Sequence, residues 1–296
     1  MLTVLLALFP AHADPYSPSR GTNAPTEVTA APVVADDGTV VMRQVVQKVK
    51  SDTFGNAAGN QHDLVVDGAF EGQTVAVLHF YTDATFDFSM PKAALAEKGF
   101  STYRWIEEAP SPSDLREALA KSSQLWIISD EQRHLTDEHV AIIKRFFDDG
   151  HGVYIWGDNL PYYTDANVVA EALFGGQMLG NLQGEQTVTV RPTLDGPGLA
   201  LGHDITTGLE YLYEGHTIAT LQPNPALKPL LVGSAGNLVA ATYEQDGKRA
   251  VLDGGFTRLY IKWDTAGSAR YVKNAAAWLV NYERFGDAVV GSNLTR

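Results

Sequence analysis

The chain predicts an α/β fold: a mainly parallel sheet flanked by helices, with antiparallel strands near the C-terminus. Three observations carry this. Short, continuous apolar runs at residues 74–80, 101–106, 124–129 and 153–156 alternate with amphipathic stretches of helical length, the pattern of parallel strands covered on both faces. Gly99, Gly150 and the pair Gly175-Gly176 stand where those helical stretches end, as expected of helix C-caps. Beyond residue 226 the alternation gives way to three closely spaced apolar runs and one last helical stretch.

In chain order, residues 1–13 read as a signal peptide: Leu2 to Phe9 is apolar, Ala11-His12-Ala13 fits a small-x-small cleavage site, and Asp14 would be the mature N-terminus, although no charged segment precedes the apolar run. Residues 14–69 read as an extended or disordered arm, with Pro15, Pro18, Pro25 and Pro32 among Thr, Ala and Asp. Within it, Val40-Val41-Met42 and Val45-Val46 suit a strand or a short helix, residues 55–60 a loop, and Leu64-Val65-Val66 a strand. The main domain is expected over residues 70–284, and residues 285–296 form a tail.

Inside that domain, helices are expected over 91–98 and from Ser111-Pro112-Ser113-Asp114 to about Ala120. The latter start combines a Ser cap, Pro at the first helical position and an early acidic residue. The helix after Thr136 is the best marked. Thr136 caps it, Asp137 and Glu138 favour its positive end, and Leu135 and Val140 take the staple positions. Val140, Ile143, Phe146 and Phe147 form its apolar face. Further strands are expected at 186–190, 229–232, 238–243 and 249–252, with a Gln245-Asp246-Gly247 turn. A closing helix is expected over 265–282, where Val272, Ala275, Ala276 and Leu279 share a face with Trp278 nearby.

Of 296 residues, 45% are hydrophobic, enough for one sizeable core. Lys plus Arg number 22 against 35 Asp plus Glu, a net charge of −13. Such a surface repels phosphate backbones and anionic lipid, so nucleic acid is not an expected partner. No stretch after residue 14 approaches the roughly 18 apolar residues of a membrane span. The expected location is secreted or periplasmic. The absence of cysteine excludes disulfides, thiolate metal sites and cysteine catalysis.

The run Val153-Tyr154-Ile155-Trp156-Gly157-Asp158-Asn159, with a helix leading to Gly175-Gly176, resembles the nucleophile-elbow region of class I glutamine amidotransferases. There a strand ends in Gly-x-Cys-x-Gly. Residues 249–252, followed by Asp253-Gly254-Gly255, take the place of that family's His-x-Glu strand, and the closing helix with Trp278 is similar to ThuA-like and gliding-type transport-associated domains. The resemblance spans roughly residues 70–284 and implies a flavodoxin-like or amidotransferase-like sheet. Three departures matter: no Cys at the elbow, a longer loop between Gly157 and Gly175, and neither His nor Glu after the last core strand. A thiolate attacks and a His shuttles its proton. With both missing, the resemblance implies a non-catalytic member or one rebuilt for another task.

In open α/β sheets ligands bind beyond the carboxyl ends of the strands. Candidate ligand-binding residues there are Asp83, Asp130, Asp158, Asn159, Tyr162, Tyr163 and Arg258. Carboxylates and amides bond hydroxyls or amines and tyrosines offer flat faces, a mixture suited to a small molecule, glycan or peptide. Each of these residues equally suits a turn or a cap. Gly254-Gly255 can bring backbone amides near a ligand, with Arg258 pairing a carboxylate or Asp158. No catalytic residue, metal or cofactor is assigned: nucleotide and serine-hydrolase motifs are missing, and His134, His139, His203 and His216 lack zinc-site spacing. The function expected is a ligand-binding or accessory protein. Two alternatives are a hydrolase using Asp158 with Asp83 or Asp130, their pKa values pushed apart by burial, and an assembly subunit docking on a partner protein through its arm.

Overall fold

The structure, a computed structural model, describes residues 26–83, 85–263 and 267–285. The expected signal segment, the first part of the arm, residues 265–266 of the expected closing helix and residues 286–296 of the tail lie outside the described residues.

Strands β1 (Thr26–Val34) and β2 (Val40–Lys48) pair antiparallel as a sheet of their own, with Val28 opposite Val46 and Val34 opposite Val40. The arm is a hairpin over this stretch. Residues farther on lie against the body. Asn56 Oδ1 accepts the amides of Glu210 and Tyr211 at 2.6 and 2.9 Å. The buried carboxylate of Asp63 meets Lys98, Arg270 and Lys273 at 2.9, 2.7 and 2.9 Å. These contacts tie residues 56–63 to the domain that sequence patterning starts at residue 70.

The remaining elements, in order, are β3 (Thr74–His79), α1 (Ser89–Glu97), β4 (Ser101–Ile106), α2 (Pro112–Leu119), β5 (Gln124–Ile128), α3 (Asp137–Asp148), β6 (Gly152–Trp156) and α4 (Thr164–Phe174). There follow β7 (Met178–Gln183), β8 (Thr187–Arg191), β9 (Gly198–Ala200), β10 (Tyr211–Tyr213), β11 (Thr217–Leu221), β12 (Leu227–Val232), β13 (Leu238–Gln245), β14 (Lys248–Asp253), α5 (Ser268–Leu279) and α6 (Tyr282–Phe285). Ten strands form one sheet in the order β10-β8-β9-β12-β13-β14-β6-β5-β3-β4. Its half from β14 to β4 is parallel throughout, and β12, β13 and β14 are antiparallel neighbours. This is the predicted α/β class, doubly wound at its parallel end.

Alternating side chains feed two cores. Val75, Val77, Trp126, Ile128, Tyr154 and Trp156 face one side, with Leu95 of α1 and Val272, Ala275 and Ala276 of α5. Ala76, Leu78, Leu125, Ile127, Val153 and Ile155 face the other, with Leu115, Ile143, Phe147 and Val169 of α2, α3 and α4. Gly152 is obligatory, since a Cβ there would stand 2.2 Å from the Leu279 carbonyl oxygen.

Residues 64–66, expected as a strand, are bend and irregular backbone instead, but the local signals of the α/β body read well. Ser111 Oγ accepts the Asp114 amide, and Thr136 caps α3 in a box closed by the His139 side chain. Gly175 takes the left-handed C-cap (φ 68°), and Asp246-Gly247, both at positive φ, turn β13 into β14. Within the α/β body four strands escaped the pattern: β7, β9, β10 and β11 lie in a segment without sustained alternation. Of these, β7 and β11 form a separate antiparallel ribbon. It lies across the carboxyl ends of β6 and β14. The Ala219 amide donates to Gly254 O at 2.8 Å, and Met178 Sδ fills the space a Cβ at Gly157 would need.

Candidate functional site

The carboxyl edge is built on a buried polar foundation. Asp253 ends β14 with no solvent exposure. Its Oδ2 receives the hydroxyls of Tyr154 (3.2 Å) and Tyr271 (2.8 Å) and pairs with Arg258 Nη1, while its Oδ1 receives the Gly255 amide (3.0 Å). Arg258, equally buried, donates its other nitrogens to Glu214 O (2.7 Å) and Tyr213 O (3.2 Å). Buried charges persist only when paired and fully hydrogen-bonded. This pair meets that condition. Arg258 therefore holds the Asp253-Gly254-Gly255 turn from beneath. Its partner is Asp253, not Asp158.

Asp158 sits above this foundation, two residues past β6, and is 5% exposed. Burial pushes its carboxyl up to about 7, against the opposing pull of the Asn159 amide and the Thr217 hydroxyl. The Asn159 amide donates to Oδ1 at 2.8 Å, and the Asp158 amide donates to Tyr162 O at 3.1 Å. Asp158 does not take the left-handed backbone, and seven residues separate Trp156 from α4, so the sharp strand-to-helix elbow of the resemblance is a wider loop here.

Aromatic rings stand within electrostatic reach of the carboxyl. Tyr81, just past β3, meets Tyr162 edge-on at 5.5 Å and Phe256 at 5.2 Å, and Phe256 meets Tyr260 at 5.6 Å. The Tyr81 and Tyr260 hydroxyls bond each other. Burial raises both phenols, and the charge of Asp158 adds to the rise. Tyr163 packs its Cβ against Gly157. Asn159 turns its side-chain amide to Leu160 O at 2.9 Å.

The other two carboxylates are occupied locally. Asp83 is exposed and caps its own turn, accepting the Thr85 amide at 2.7 Å and the Thr85 hydroxyl. Asp130 accepts the Gln132 amide (2.7 Å) and faces His134 Nε2 (2.9 Å), whose ring stacks on Phe80 at 4.5 Å. The carboxylate whose charge acts on Asp158 is that of Asp253. Among the described residues no group of three or more His, Asp or Glu side chains is arranged to hold a metal ion.

Sequence reasoning missed Tyr81 and Thr217 as neighbours of Asp158. Tyr81 directly follows an apolar strand and was within reach of the carboxyl-end rule. Thr217 comes from the ribbon, which has no periodic signature. A second cluster also escaped notice. Glu185 Oε1 pairs with His216 Nδ1, and Glu185 Oε2 lies 3.2 Å from Lys262 Nζ and 3.4 Å from the Tyr213 hydroxyl.

No family model matches the chain, and no curated protein does. Among solved structures it is similar to a ThuA-like protein from Parabacteroides merdae ATCC 43184, at 12% identity and a TM-score of 0.48, covering 76% of this chain and 93% of that one. It is similar also to a ThuA-like protein from Bacteroides uniformis ATCC 8492 (12% identity, TM-score 0.46, 70% and 90% covered). A third is a protein described as a GMP synthase component from Thermoplasma acidophilum (10% identity, TM-score 0.46, 73% and 98% covered). Among the described residues no helix is long and apolar enough to cross a membrane.

Proposed function

We propose that this protein binds a small, neutral, hydroxyl-bearing molecule at the carboxyl edge of its sheet, on an amidotransferase-like scaffold from which the glutamine-hydrolysing chemistry is missing. One observation carries the reading: Asp158, a carboxyl that burial pushes up to about 7, stands near Tyr81, Tyr162 and Tyr260 and beside the fully bonded Asp253–Arg258 pair. A strongly perturbed group at a strand's carboxyl end is a candidate functional group on physical grounds. Tyrosine faces stack on sugar rings, and a protonated carboxyl both donates to and accepts from hydroxyls. Asn159 and Tyr163 shape the wall, Asp83 and Asp130 stand at the rim, and Arg258 positions the floor. The protein acts as a secreted or periplasmic accessory factor, its residues 1–13 removed on export, which N-terminal sequencing of the mature protein checks.

The test is calorimetric titration with neutral monosaccharides and disaccharides, with amino acids as a contrasting set. Asp158→Ala should weaken sugar binding at least about tenfold, or about 1.4 kcal/mol. Equal binding by the variant and the native chain sinks the reading.

The hairpin supports a second reading, assembly through the arm. Val28, Val34, Val40, Met42 and Val46 share one face and are 61–72% exposed. A lone two-stranded hairpin is marginal in water, and this face carries charge only at its end, at Lys48. Like can therefore pack on like across a two-fold axis without a charge clash. The partner in this reading is a second copy of the chain.

A further inference from the structure

We propose that the outer edge of β2 in one copy of the chain adds antiparallel to the outer edge of β4 in a second copy, with Arg43 opposite Tyr103. This rests on the assembly reading above for its partner and adds an edge contact to the apolar face described there.

Two strand edges are open. β4 ends the ten-stranded sheet, and among the described residues its one neighbour is β3. The Ser101 amide donates to Gln73 O and the Glu107 amide to His79 O, both at 2.9 Å. Backbone groups alternate in direction along a strand, so those of Thr102 and Arg104 and the amide of Ile106 point outward. β2 pairs with β1 alone among the described residues. The Ala35 amide donates to Thr39 O at 2.8 Å, which sets the odd residues of β2 toward β1 and turns the backbone groups of Val40, Met42 and Gln44 outward. The other end of the large sheet is closed. There the outward Tyr211 amide of β10 donates to Asn56 Oδ1 at 2.9 Å, and Tyr213 O accepts Arg258 Nε at 3.2 Å. Natural edges are blunted by proline, lysine or a bulge, and β4 has none of these. Its one charge, Arg104, turns to His79 Nδ1 at 3.1 Å and to the Phe88 ring at 5.2 Å.

Parity and side chains select one register. Antiparallel strands bond outward residue to outward residue, which sets even positions of β4 against even positions of β2. With Thr102 opposite Gln44, Arg104 opposite Met42 and Ile106 opposite Val40, Arg43 falls opposite Tyr103 and Val41 opposite Trp105. Tyr103 packs edge-on against Trp105 at 4.8 Å and lines a groove of about 380 Å³ with Asp114, Glu117 and Lys121. Lys121 is spent on Glu117 at 2.7 Å, while Asp114 has no cation beside it among the described residues. Arg43 is exposed and has no carboxylate partner there either. A guanidinium over the Tyr103 ring and beside Asp114 satisfies both groups. Ile106 and Val40, 48% and 66% exposed, meet in the same register and leave water together. A slip of two residues moves Arg43 to Trp105 or Ser101, neither of which lines the acidic groove. The net charge of −13 opposes association, but at physiological salt charges farther apart than about 8 Å are screened, so contacts at the seam decide. When each copy both gives β2 and receives at β4, the assembly closes as a two-fold dimer.

The chain has no cysteine, so introduced ones report the seam. Full-length Arg43→Cys and Tyr103→Cys chains, mixed and oxidised, should give a species of twice the chain mass whose linked peptide joins positions 43 and 103, because a non-hydrogen-bonded antiparallel pair brings Cβ atoms close to disulfide range. Arg43→Cys mixed with Ser101→Cys, two residues off register, should link at least about tenfold more slowly. Arg43→Glu should weaken association at least about tenfold by sedimentation equilibrium, through repulsion from Asp114 and Glu117. Asp114→Lys in the same chain should restore most of it. Arg43 and Asp114 are both exposed, so the circular dichroism of these variants should match that of the native chain. A native chain that dimerises while positions 43 and 103 link no faster than the off-register pair overturns this inference and leaves the assembly reading standing. A native chain that stays monomeric at about 100 µM removes both.

Discussion

Asp158 and Arg258 share the carboxyl edge of the sheet, yet burial treats them oppositely. Arg258 is buried with its counter-charge and with a carbonyl for each remaining nitrogen, so it stays charged and structural. Replacing it by Met leaves Asp253 buried beside two tyrosines without its cation. The expected loss is about 3–5 kcal/mol, read by urea denaturation, and Asp253→Asn in the same chain should recover part of it. Asp158 has one amide, one hydroxyl and no facing cation at contact, so burial raises it to about 7. In the unfolded chain the same group ionises near pH 4. Its contribution to stability is therefore present in full below about pH 4 and is lost as pH rises through about 7. Asp158→Asn removes that loss. The variant should match the native chain near pH 4 and exceed it by about 2 kcal/mol or more at pH 8.5. A native-chain stability unchanged from pH 5 to 8.5 relative to the variant counts against a buried neutral carboxyl.

At the scale of elements, helices here are joined to strands by side chains from other elements. Ser129 Oγ, just past β5, accepts the amides of Asp165 (3.0 Å) and Ala166 (3.2 Å) at the start of α4. The Asp165 carboxylate in turn accepts the amides of His134 and Leu135 at 2.9 and 3.0 Å. The two together clamp the loop after β5 to the helix after β6, which holds one wall of the site. Ser129→Ala orphans two buried amides and should lose about 1–3 kcal/mol, with hydrogen exchange accelerating first at the start of α4. Gly152→Ala drives a methyl into the Leu279 carbonyl and should lose about 3 kcal/mol by forcing β6 from α5. These contacts join residues 36 and 127 positions apart, which is why no local pattern announces them.

At the scale of the whole molecule, the exposed hairpin predicts self-association. Val28→Asp with Val46→Asp should shift sedimentation from dimer to monomer at micromolar protein while leaving the circular dichroism of the α/β body unchanged. A native chain that sediments as a monomer at about 100 µM, toward the weak end of specific association, removes the assembly reading. The legible part of the fold and the hidden part divide along one physical line. The strands of the parallel half, the Thr136 and Ser111 caps, the Gly175 stop and the Asp246-Gly247 turn were all readable, because period, cap and turn are encoded within a few residues. The candidate set beyond the strands was readable as a set, because chain topology alone carries residues 81–83, 130, 158–163 and 253–260 to one edge. Which of them matter was not. Asp83 and Asp130 spend their oxygens on neighbouring amides and His134, Arg258 goes to Asp253, and Asp158 alone is sealed by a ribbon whose strands have no periodicity. The sequence by itself determined the layering and the edge to which the candidate residues come, since both follow from short-range apolar pattern. Tertiary structure decided which carboxyl is held away from water and what stands beside it, since desolvation and pairing depend on segments distant in the chain.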